Sequence, residues 1–407
     1  MNAKLLRAAI LLGLLSLIGP FAIDMYLPTL PAIGTALKAD TAAVQASIMS
    51  FMIAVAVGTL IYGPVSDMIG RKPPLYFGIV LYTIGAIGCA LSQSIEMLII
   101  FRFVQGVGAC ASFALPRAIV RDNYTGAEAT QLFSLVMLVF SISPILAPSV
   151  GSLVNQFGSW REIFWVMTIA GVLTLVLCIV ALKETRPKEA RVESGLGSAM
   201  SAYWVLIRDG RFLGLTLIGG FGISSFMAFI GSSSFVYINH YGLSPTLYSL
   251  AFSVNAIGFF AASQATGFLV KRFGLNRVVR YAVWGFTGAM MLLLALFLAG
   301  FDGIPVLSSL MFIAFAFLGL VLPTTGVLAM EEHGAIAGTA SALLGTLQTV
   351  AGAVVMGIVA AFFNGTAMPM VVGFAVCALI VFVLTQLTIR GDDDAVVAEP
   401  AEGFSMH

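Results

Sequence analysis

Charged residues are scarce in this chain. Asp, Glu, Lys and Arg make up 10% of its 407 residues, whereas hydrophobic residues make up 59%. A soluble globular domain carries about 25% charged residues. This composition excludes an ordinary soluble domain and indicates a protein that is embedded in a lipid bilayer.

Cysteine is also scarce, and the motifs of catalysis are missing. The four cysteines, at 89, 110, 178 and 377, stand singly in apolar runs and form no CxxC or metal-ligand spacing. No phosphate-binding loop of the GxxxxGKS or GxxxxGKT type occurs, so no ATP site of that kind is built in. The apolar runs hold no cluster of His, Cys, Asp or Glu, which argues against an enzyme. We expect no metal, no other cofactor and no nucleic-acid partner.

Long apolar runs, by contrast, are abundant. A bilayer core of about 30 Å requires about 20 apolar residues per helix, and twelve runs have that length. They fall at 8–31, 44–64, 74–93, 97–119, 130–154, 162–183, 211–236, 246–269, 279–299, 304–329, 336–361 and 367–389.

A polar segment at 184–210 divides the runs six and six. We therefore predict an all-α integral membrane protein with twelve transmembrane helices in two pseudo-symmetric six-helix bundles. The predicted parts are a first bundle at 1–183, a cytoplasmic linker at 184–210 with a short surface helix near its end, a second bundle at 211–390 and a disordered acidic tail at 391–407.

Positive charge lies almost entirely on one side of the predicted bilayer. If the N-terminus is cytoplasmic, only Lys38 and Arg161 of the 20 Lys and Arg residues lie outside, and Arg102 lies within a span. The other 17 lie on the cytoplasmic side. Because cytoplasmic loops carry an excess of Lys and Arg, we predict that both termini are cytoplasmic.

A charged segment with Gly and Pro separates the second and third runs. It reads Gly63-Pro-Val-Ser-Asp67-Met-Ile-Gly70-Arg71-Lys72-Pro73. Such a segment cannot lie in hydrocarbon, so it must be a tight reversal at the membrane surface. Arg121 and Asp122 end the fourth run, and we predict that Arg71 pairs with Asp122. We also predict that Asp67 pairs with Arg121 or faces a helix N-terminus; these contacts would hold one conformational state. Surface charges that only follow the topology rule are the alternative.

A degenerate copy of this segment supports an internal repeat. Gly267 and Gly274 match its two glycines at a distance of 204 residues, about half the chain. Lys271 stands in the place of the acidic residue. Two related halves are typical of transporters that are built from repeats.

Asp24 is a lone acidic residue about two-thirds of the way along the first run. A charged residue at mid-span costs about 3 kcal/mol on insertion scales, and such residues usually mark ion or substrate paths. In the other interpretation the span ends early and Asp24 caps a loop, because Pro28 and Pro31 follow. We favour the ion path because Tyr26 and Leu27 extend the apolar run.

Arg102, in the fourth run, lies at nearly the depth of Asp24 when a rise of about 1.5 Å per residue is applied. A buried Arg needs a partner, so we predict an Asp24–Arg102 ion pair that breaks when Asp24 is protonated. A purely structural pair, or an Arg102 that snorkels to the surface, is the alternative. Gln105 is expected to face the same polar path. Gly106 and Gly108 indicate close helix packing rather than a dinucleotide site.

The fifth run contains Pro144 and Pro148, followed by Gly151. Prolines remove backbone hydrogen bonds and bend a helix, and glycine permits close approach. A simple kink and a hinge or seal between the halves are both open.

Several segments together resemble one family. They are DMYLP at 24–28, the loop at 63–73, RFVQGVG at 102–108, APSVG at 147–151 and SWREIFW at 159–165. They are similar to the drug:proton antiporters of the major facilitator superfamily, and in particular to the Bcr/CflA (bicyclomycin and chloramphenicol resistance) branch, over almost the whole chain. The fifth-span signature GPxxGG of the wider group has glycines where this chain has Ala147 and Ser152.

The resemblance implies proton-driven export of small, mainly apolar drugs or metabolites by two rocking halves, with Asp24 and Arg102 at the coupling positions. A proton-coupled importer or facilitator of a metabolite is the alternative. We expect a monomer in a bacterial inner membrane, with protons and a small-molecule substrate as partners. Candidate substrate contacts are Tyr26, Gln105, Ser225, Phe229, Asn255, Thr324 and Gln348. Candidate gating residues are Gly63, Asp67, Gly70, Arg71, Arg121, Asp122, Pro144, Pro148 and Gly151.

Overall fold

Helices dominate the described part of the chain in a computed structural model. The structure describes residues 3–124, 126–186, 196–333 and 336–389. The α-helices in this part are α1 Ala3–Asp24, α2 Leu30–Leu37, α3 Thr41–Ile69, α4 Lys72–Ala90, α5 Ile95–Asn123, α6 Gly126–Gln156, α7 Arg161–Ala181, α8 Leu196–Arg208, α9 Gly210–Ser234, α10 Pro245–Phe273, α11 Leu275–Leu298, α12 Ile304–Glu331, α13 Ala337–Ala361 and α14 Met368–Thr388.

Twelve helical segments of the described chain are long and apolar enough to cross a membrane. The predicted fold class, an all-α membrane protein with twelve spans, is confirmed. The acidic tail at 391–407 and the linker residues 187–195 lie outside the described residues.

The first span consists of two helical pieces. α1 ends at Asp24, a 3₁₀ turn covers Leu27–Thr29, and α2 follows. Pro28 and Pro31 lack a backbone N–H, so the hydrogen-bond ladder of α1 cannot continue through them. The helix therefore ends at Asp24, while the span continues beyond it.

The even number of spans places both ends of the described chain on one side of the molecule. We call the side that holds Ala3 and Thr388 the terminal face, and the opposite side the far face. The reversal at Gly70 lies on the terminal face, and Lys38 and Arg161 lie on the far face.

Each half packs through close helix pairs. In the first half, α5 packs against α3 and α4, and in the second half α9 packs against α13 and α14. A Cβ on Gly106 of α5 would lie 2.5 Å from the carbonyl oxygen of Phe51, and one on Gly108 would overlap the backbone of Tyr82. The predicted packing role of these two glycines is confirmed.

One seam between the halves joins α6 to α10. The hydroxyl of Ser249 donates to the carbonyl oxygen of Pro148 at 2.9 Å, and that of Ser253 donates to the carbonyl oxygen of Ile145 at 2.6 Å. All four residues lie in the part of their helices that is nearer the far face. Hydroxyl-to-backbone hydrogen bonds therefore fasten this seam.

The second seam joins α3 to α13 and α9. Near its middle, the hydroxyl of Thr346 donates to the carbonyl oxygen of Ala56 at 3.2 Å. Among the described residues, the hydrogen bonds between the halves lie from the middle of the bundle to the far face. The molecule is therefore sealed at the far face.

The end of the linker is attached to the second half. α8 packs against α9 and α13, and the Asp209 carboxylate accepts from the backbone N–H groups of Arg211 and Phe212 at the start of α9. His333 lies 2.8 Å from the same carboxylate, and Arg211 pairs with Glu332. These contacts tie the linker to the end of α12 at the terminal face.

Candidate functional site

Asp24 lies where the two halves meet. It ends α1, and it is only 5% exposed. The hydroxyl of Ser143 in α6 donates to its carboxylate at 3.3 Å. The charge of the same carboxyl group, when ionised, acts on the hydroxyl of Tyr248 in α10, which belongs to the other half. Among the described side chains no cation pairs with Asp24, so its charge, when ionised, is buried without a counterion.

α6 approaches the break in the first span closely. A Cβ on Gly151 would overlap the carbonyl oxygen of Met25, so only glycine permits this contact. The helix continues through Pro144 and Pro148, and the carbonyl oxygen of Pro148 accepts the hydrogen bond from Ser249. Pro148 thus lies at the seam and Gly151 packs against the first span, and the function of these positions as a hinge stays a prediction.

Arg102 is fully buried within the first half. Its Nη1 donates to the carbonyl oxygen of Ala22 at 3.0 Å and to Oε1 of Gln105 at 2.9 Å. The guanidinium carbon lies 4.7 Å and 4.3 Å from the ring centres of Tyr26 and Phe51. Nε and Nη2 have no hydrogen-bond partner among the described residues.

The predicted ion pair between Asp24 and Arg102 is not formed in this structure. A helix turns once every 3.6 residues or so, and Ala22 and Asp24 therefore lie on nearly opposite sides of α1. The backbone carbonyl oxygen of Ala22 accepts from Arg102 of α5, whereas the Asp24 carboxylate accepts from Ser143 of α6. Arg102 instead binds the carboxyl end of α1, where the helix dipole favours a positive charge.

Tyr26 and Gln105, both predicted substrate contacts, are fully buried and have partners inside the first half. The Tyr26 hydroxyl lies 2.8 Å from the hydroxyl of Ser47. Nε2 of Gln105 donates to the sulfur of Met167 at 3.5 Å. In this conformation they support Arg102 and the first span, and a substrate would reach them only after a rearrangement.

An aromatic cluster fills the contact of α9 with α10 and α12. The rings of Phe229 and Phe252 are stacked with centres 5.4 Å apart, and Phe315 meets Phe229 edge-on. Phe226 stacks on Phe259 at 5.8 Å. The predicted contact Phe229 is buried, whereas Phe226 and Phe259 are partly exposed. The sequence signal that was missed is the seven-residue spacing of Phe252 and Phe259 on one face of α10.

Of the predicted polar substrate contacts in the second half, two donate to carbonyl oxygens of their own helix and a third is fully buried. Asn255 donates to the carbonyl oxygen of Ala251 in its own helix, and its Oδ1 has no partner among the described residues. Thr324 donates to Leu320 of its own helix at 2.6 Å. Ser225 is fully buried. These residues do not converge on one point.

Gln348 is the predicted polar contact that meets groups of other helices. A Cβ on Gly219 of α9 would overlap its Nε2 and would lie 3.2 Å from the hydroxyl oxygen of Thr325 in α12. Gln348 is partly exposed. α9, α12 and α13 thus meet at Gly219 with Thr325, rather than the predicted Thr324, beside Gln348.

Arg71 organises the charged loop on the terminal face. Its Nε and Nη2 donate to the two carboxylate oxygens of Asp122 at 2.7 and 3.1 Å. Nη1 lies 2.9 Å from Oδ1 of Asp67 and donates to the Ser66 hydroxyl at 2.6 Å. The predicted Arg71–Asp122 pair is confirmed.

Asp67 pairs with Arg71 and with Arg186, whose Nη1 lies 3.1 Å from its carboxylate. The side chain of Arg121, the partner that the sequence predicts, lies outside the described part of the chain. Arg186 belongs to the linker, so the linker contributes a positive charge to the network around Asp67.

Two further linker residues take part. The Glu184 carboxylate accepts from the backbone N–H groups of Arg71 and Lys72 at 2.8 and 3.1 Å, at the start of α4. The Thr185 hydroxyl donates to Asp122 at 3.1 Å. The signal in the sequence was the charged KETR segment directly after the sixth span, which we interpreted only as linker.

The pKa values of Asp122 and Glu184 lie below their ordinary values. Burial opposes ionisation of Asp122, but the hydrogen bonds and charge of Arg71, with Thr185 and Arg186, hold its pKa below the usual value. Burial likewise opposes ionisation of Glu184, and its backbone hydrogen bonds lower its pKa. Asp122 and Glu184 are therefore ionised at neutral pH.

The copy of the loop in the second half has a similar backbone but lacks the acidic residue. Gly70 and Gly274 have φ of 100° and 83°, a conformation that favours glycine. A Cβ on Gly63 or Gly267 would meet no atom within 4 Å. Lys271 is exposed where the first loop has its acid. The charge network is thus built in the first half.

Comparison with known proteins agrees with this architecture. The family model described as Major Facilitator Superfamily matches residues 12–356. The uncharacterized MFS-type transporter YdgK of Bacillus subtilis is 38% identical over 90% of this chain and 91% of its own length. A bicyclomycin resistance protein homolog of Haemophilus influenzae is 29% identical over 91% and 92%.

A solved structure of a D-xylose-proton symporter has the same fold, with a TM-score of 0.72 over 94% of this chain and 98% of that chain at 17% identity. The match to the family model and the high identity to YdgK cover most of the chain. This chain therefore belongs to the major facilitator superfamily and is a transporter rather than an enzyme.

Proposed function

We propose that this protein exports small amphipathic drugs or metabolites in exchange for protons, as a monomer in a bacterial inner membrane. The observation that carries the proposal is Asp24, a buried carboxyl group without a counterion at the junction of two moving halves. The likeness to a bicyclomycin resistance protein homolog supports drugs as the substrate class.

The terminal face is the cytoplasmic face in this proposal. Of 20 Lys and Arg residues, only Lys38 and Arg161 belong to the far face by their place in the helix order. Positive charge marks the cytoplasmic side of membrane proteins. A far face that is sealed then corresponds to an inward-facing state of the transporter.

Proton coupling follows from the burial of Asp24. Removing an unpaired ionised carboxylate from water costs several kcal/mol, so the sealed far face is compatible with a protonated Asp24. Loss of the proton to the cytoplasm, as a drug enters, favours opening of the far face. There Asp24 is hydrated, takes a proton from outside and the drug leaves. No exchange of an ion pair with Arg102 is needed.

The energy available is sufficient for useful export. One charge crossing 100 mV supplies about 2.3 kcal/mol, and a factor of ten corresponds to about 1.4 kcal/mol. A single proton per cycle therefore sustains a gradient of roughly 50-fold for a neutral drug, before any pH difference is counted.

The test uses everted membrane vesicles, with the proton gradient followed by an acridine dye. Bicyclomycin or chloramphenicol added on the cytoplasmic side should release protons from vesicles with the wild-type protein, and Asp24→Asn should abolish the release. Asp302→Asn, at an exposed position of a far-face loop, is the matched control and should behave like the wild type.

Two results would contradict the proposal. Export by Asp24→Asn at the wild-type rate would show that Asp24 does not couple protons to transport. Absence of proton release in the wild type with every drug that it transports would favour the importer or facilitator, because a symporter moves substrate and proton in the same direction.

A further inference from the structure

Gln45 is a buried amide without a partner. It lies in the second turn of α3, near the far face, and is fully buried. Neither its Oε1 nor its Nε2 has a hydrogen-bond partner among the described residues. Buried polar groups are nearly always hydrogen-bonded, and an unmet group raises the free energy of the arrangement that buries it.

The amide faces the seam where α3 meets α9 and α13. A Cβ on Gly231 of α9 would lie 3.9 Å from Cδ of Gln45 and 2.7 Å from Cγ of Met356 in α13. Met49, one turn after Gln45, packs against Gly357 of α13 in the same way. Gly231 offers the amide no side chain, and the thioether sulfur of Met356 beside Gly231 is only a weak acceptor.

The α6–α10 seam has the opposite character. Ser249 and Ser253 donate there to backbone carbonyl oxygens, and Nε2 of Gln156 lies 3.0 Å from the hydroxyl of Thr246 at the far face. Hydrogen bonds thus hold one side of the far-face closure, while an unmet amide is buried in the other.

We propose that Gln45 is a further functional residue of the transport cycle, because its unmet amide destabilises the sealed far face and thereby promotes opening. Opening of the α3–α9–α13 seam exposes the second turn of α3 to water, which satisfies the amide. The inference rests on the proposed alternating access and adds the residue that sets its equilibrium at the far face.

The proposal predicts that two kinds of substitution shift the equilibrium of the far face in opposite directions. An apolar side chain of similar volume removes the unmet group but keeps the packing, so Gln45→Leu should stabilise the sealed state. Removal of the hydroxyls in Ser249→Ala with Ser253→Ala should destabilise it. General damage to the fold would not shift the equilibrium in opposite directions. Opposite effects of the two variants would therefore show that both act on the equilibrium of the far face.

The experiment measures the distance between two spin labels on the far face. Cysteines introduced at the exposed positions Ser159 and Ala361 lie in different halves, and the four native cysteines are buried. Measurements are made on the full chain in lipid nanodiscs at a pH at which the wild type shows both the short and the long distance.

Gln45→Leu should lower the ratio of long to short distance roughly tenfold, and the double serine variant should raise it. Gln386→Leu, the same replacement at an exposed site of α14, should leave the ratio unchanged. If Gln45→Leu does not fold, Gln45→Met provides the same comparison.

The outcomes separate this inference from the proposed function. A wild-type ratio in Gln45→Leu or Gln45→Met overturns the role of Gln45 and leaves proton-driven export intact. A wild type whose far face never opens, with any drug or at any pH, overturns alternating access and the inference with it.

Discussion

Asp24 and Arg102 act on different parts of the molecule although they lie at similar depth. Arg102 binds the end of α1 through Ala22 and is enclosed by aromatic rings. Asp24 accepts from Ser143 of α6, the helix that forms the seam with the second half. Arg102 binds the end of α1, whereas Asp24 has no charged partner among the described residues.

This separation predicts additive effects on stability. Arg102→Lys should destabilise the protein, because an ammonium group lacks the planar fork that donates while it stacks on rings. Asp24→Asn should not, because the protonated carboxyl group of the sealed state is neutral like the amide and has no counterion to lose. In the double variant the two changes in unfolding free energy should add to within about 0.5 kcal/mol.

Thermal unfolding of the four proteins of this cycle in one detergent provides the measurement. A coupling energy well above that limit would indicate that the two side chains pair in the state that dominates in solution.

The sequence predicted the depth of Arg102 and Asp24 in the membrane but not the direction in which each side chain points. Counting residues along a helix gives depth, whereas the direction of Asp24 depends on where α1 ends and on how α6 approaches at Gly151. The Arg71–Asp122 pair was predictable because Asp122 ends the fourth run at the same membrane surface as the loop of Arg71, and a buried Arg needs an acidic partner.

At the scale of helices, the charged loop is a joint between four segments. The end of α3, the start of α4 and the end of α5 supply Asp67, Arg71 and Asp122. The linker adds Glu184 and Arg186. In the sealed state the described contacts of this joint lie within the first half and the linker, so it holds that half as a rigid unit.

Asp122→Asn should therefore destabilise the first half. The replacement removes the charge from a bidentate pair and leaves the buried Arg71 with Asp67, and a hydrogen bond to a charged group contributes about 1.5–3 kcal/mol. The unfolding temperature at pH 7 should fall, whereas Asp302→Asn should leave it unchanged.

The pH dependence follows from the lowered pKa of Asp122. A carboxyl group with a lowered pKa stabilises the fold above its ordinary pKa of about 3.9, and this stabilisation is lost as the pH falls through the lowered value. The difference between wild type and Asp122→Asn should be constant from about pH 5 to 8 and shrink only in stronger acid. A difference that shrinks near pH 6 would contradict an ionised, tightly paired Asp122.

The sequence predicted the spans but not the elements that interrupt them. Pro28 and Pro31 were visible, yet apolar residues on both sides made the first span read as one helix. The α9 span likewise ends in a π-helical turn at Phe235–His240. This segment contains no proline from which the turn could have been predicted. Contacts with other helices decide such local breaks.

At the scale of the whole molecule, the halves are related but not equivalent. The first half has the charge network at the terminal face, while the second has the Asp209–His333 contact and an ion pair at the end of α12. Glu184 and Asp209 attach the two ends of the linker to different halves. The described ends of the linker are thus each fastened to one half, and the domain boundaries at 183 and 211 stay a prediction.

The orientation of this asymmetric molecule can be tested directly. Ser159 lies on the far face and Glu331 on the terminal face, and both are exposed. Because the native cysteines are buried, a membrane-impermeant maleimide reports only on an introduced cysteine. Ser159→Cys should be labelled in intact spheroplasts, and Glu331→Cys only in everted vesicles. The reverse pattern would place the charge network outside the cell. Asp24 would then be sealed from the cytoplasm, and this structure would be an outward-facing state rather than the inward-facing state of the proposal.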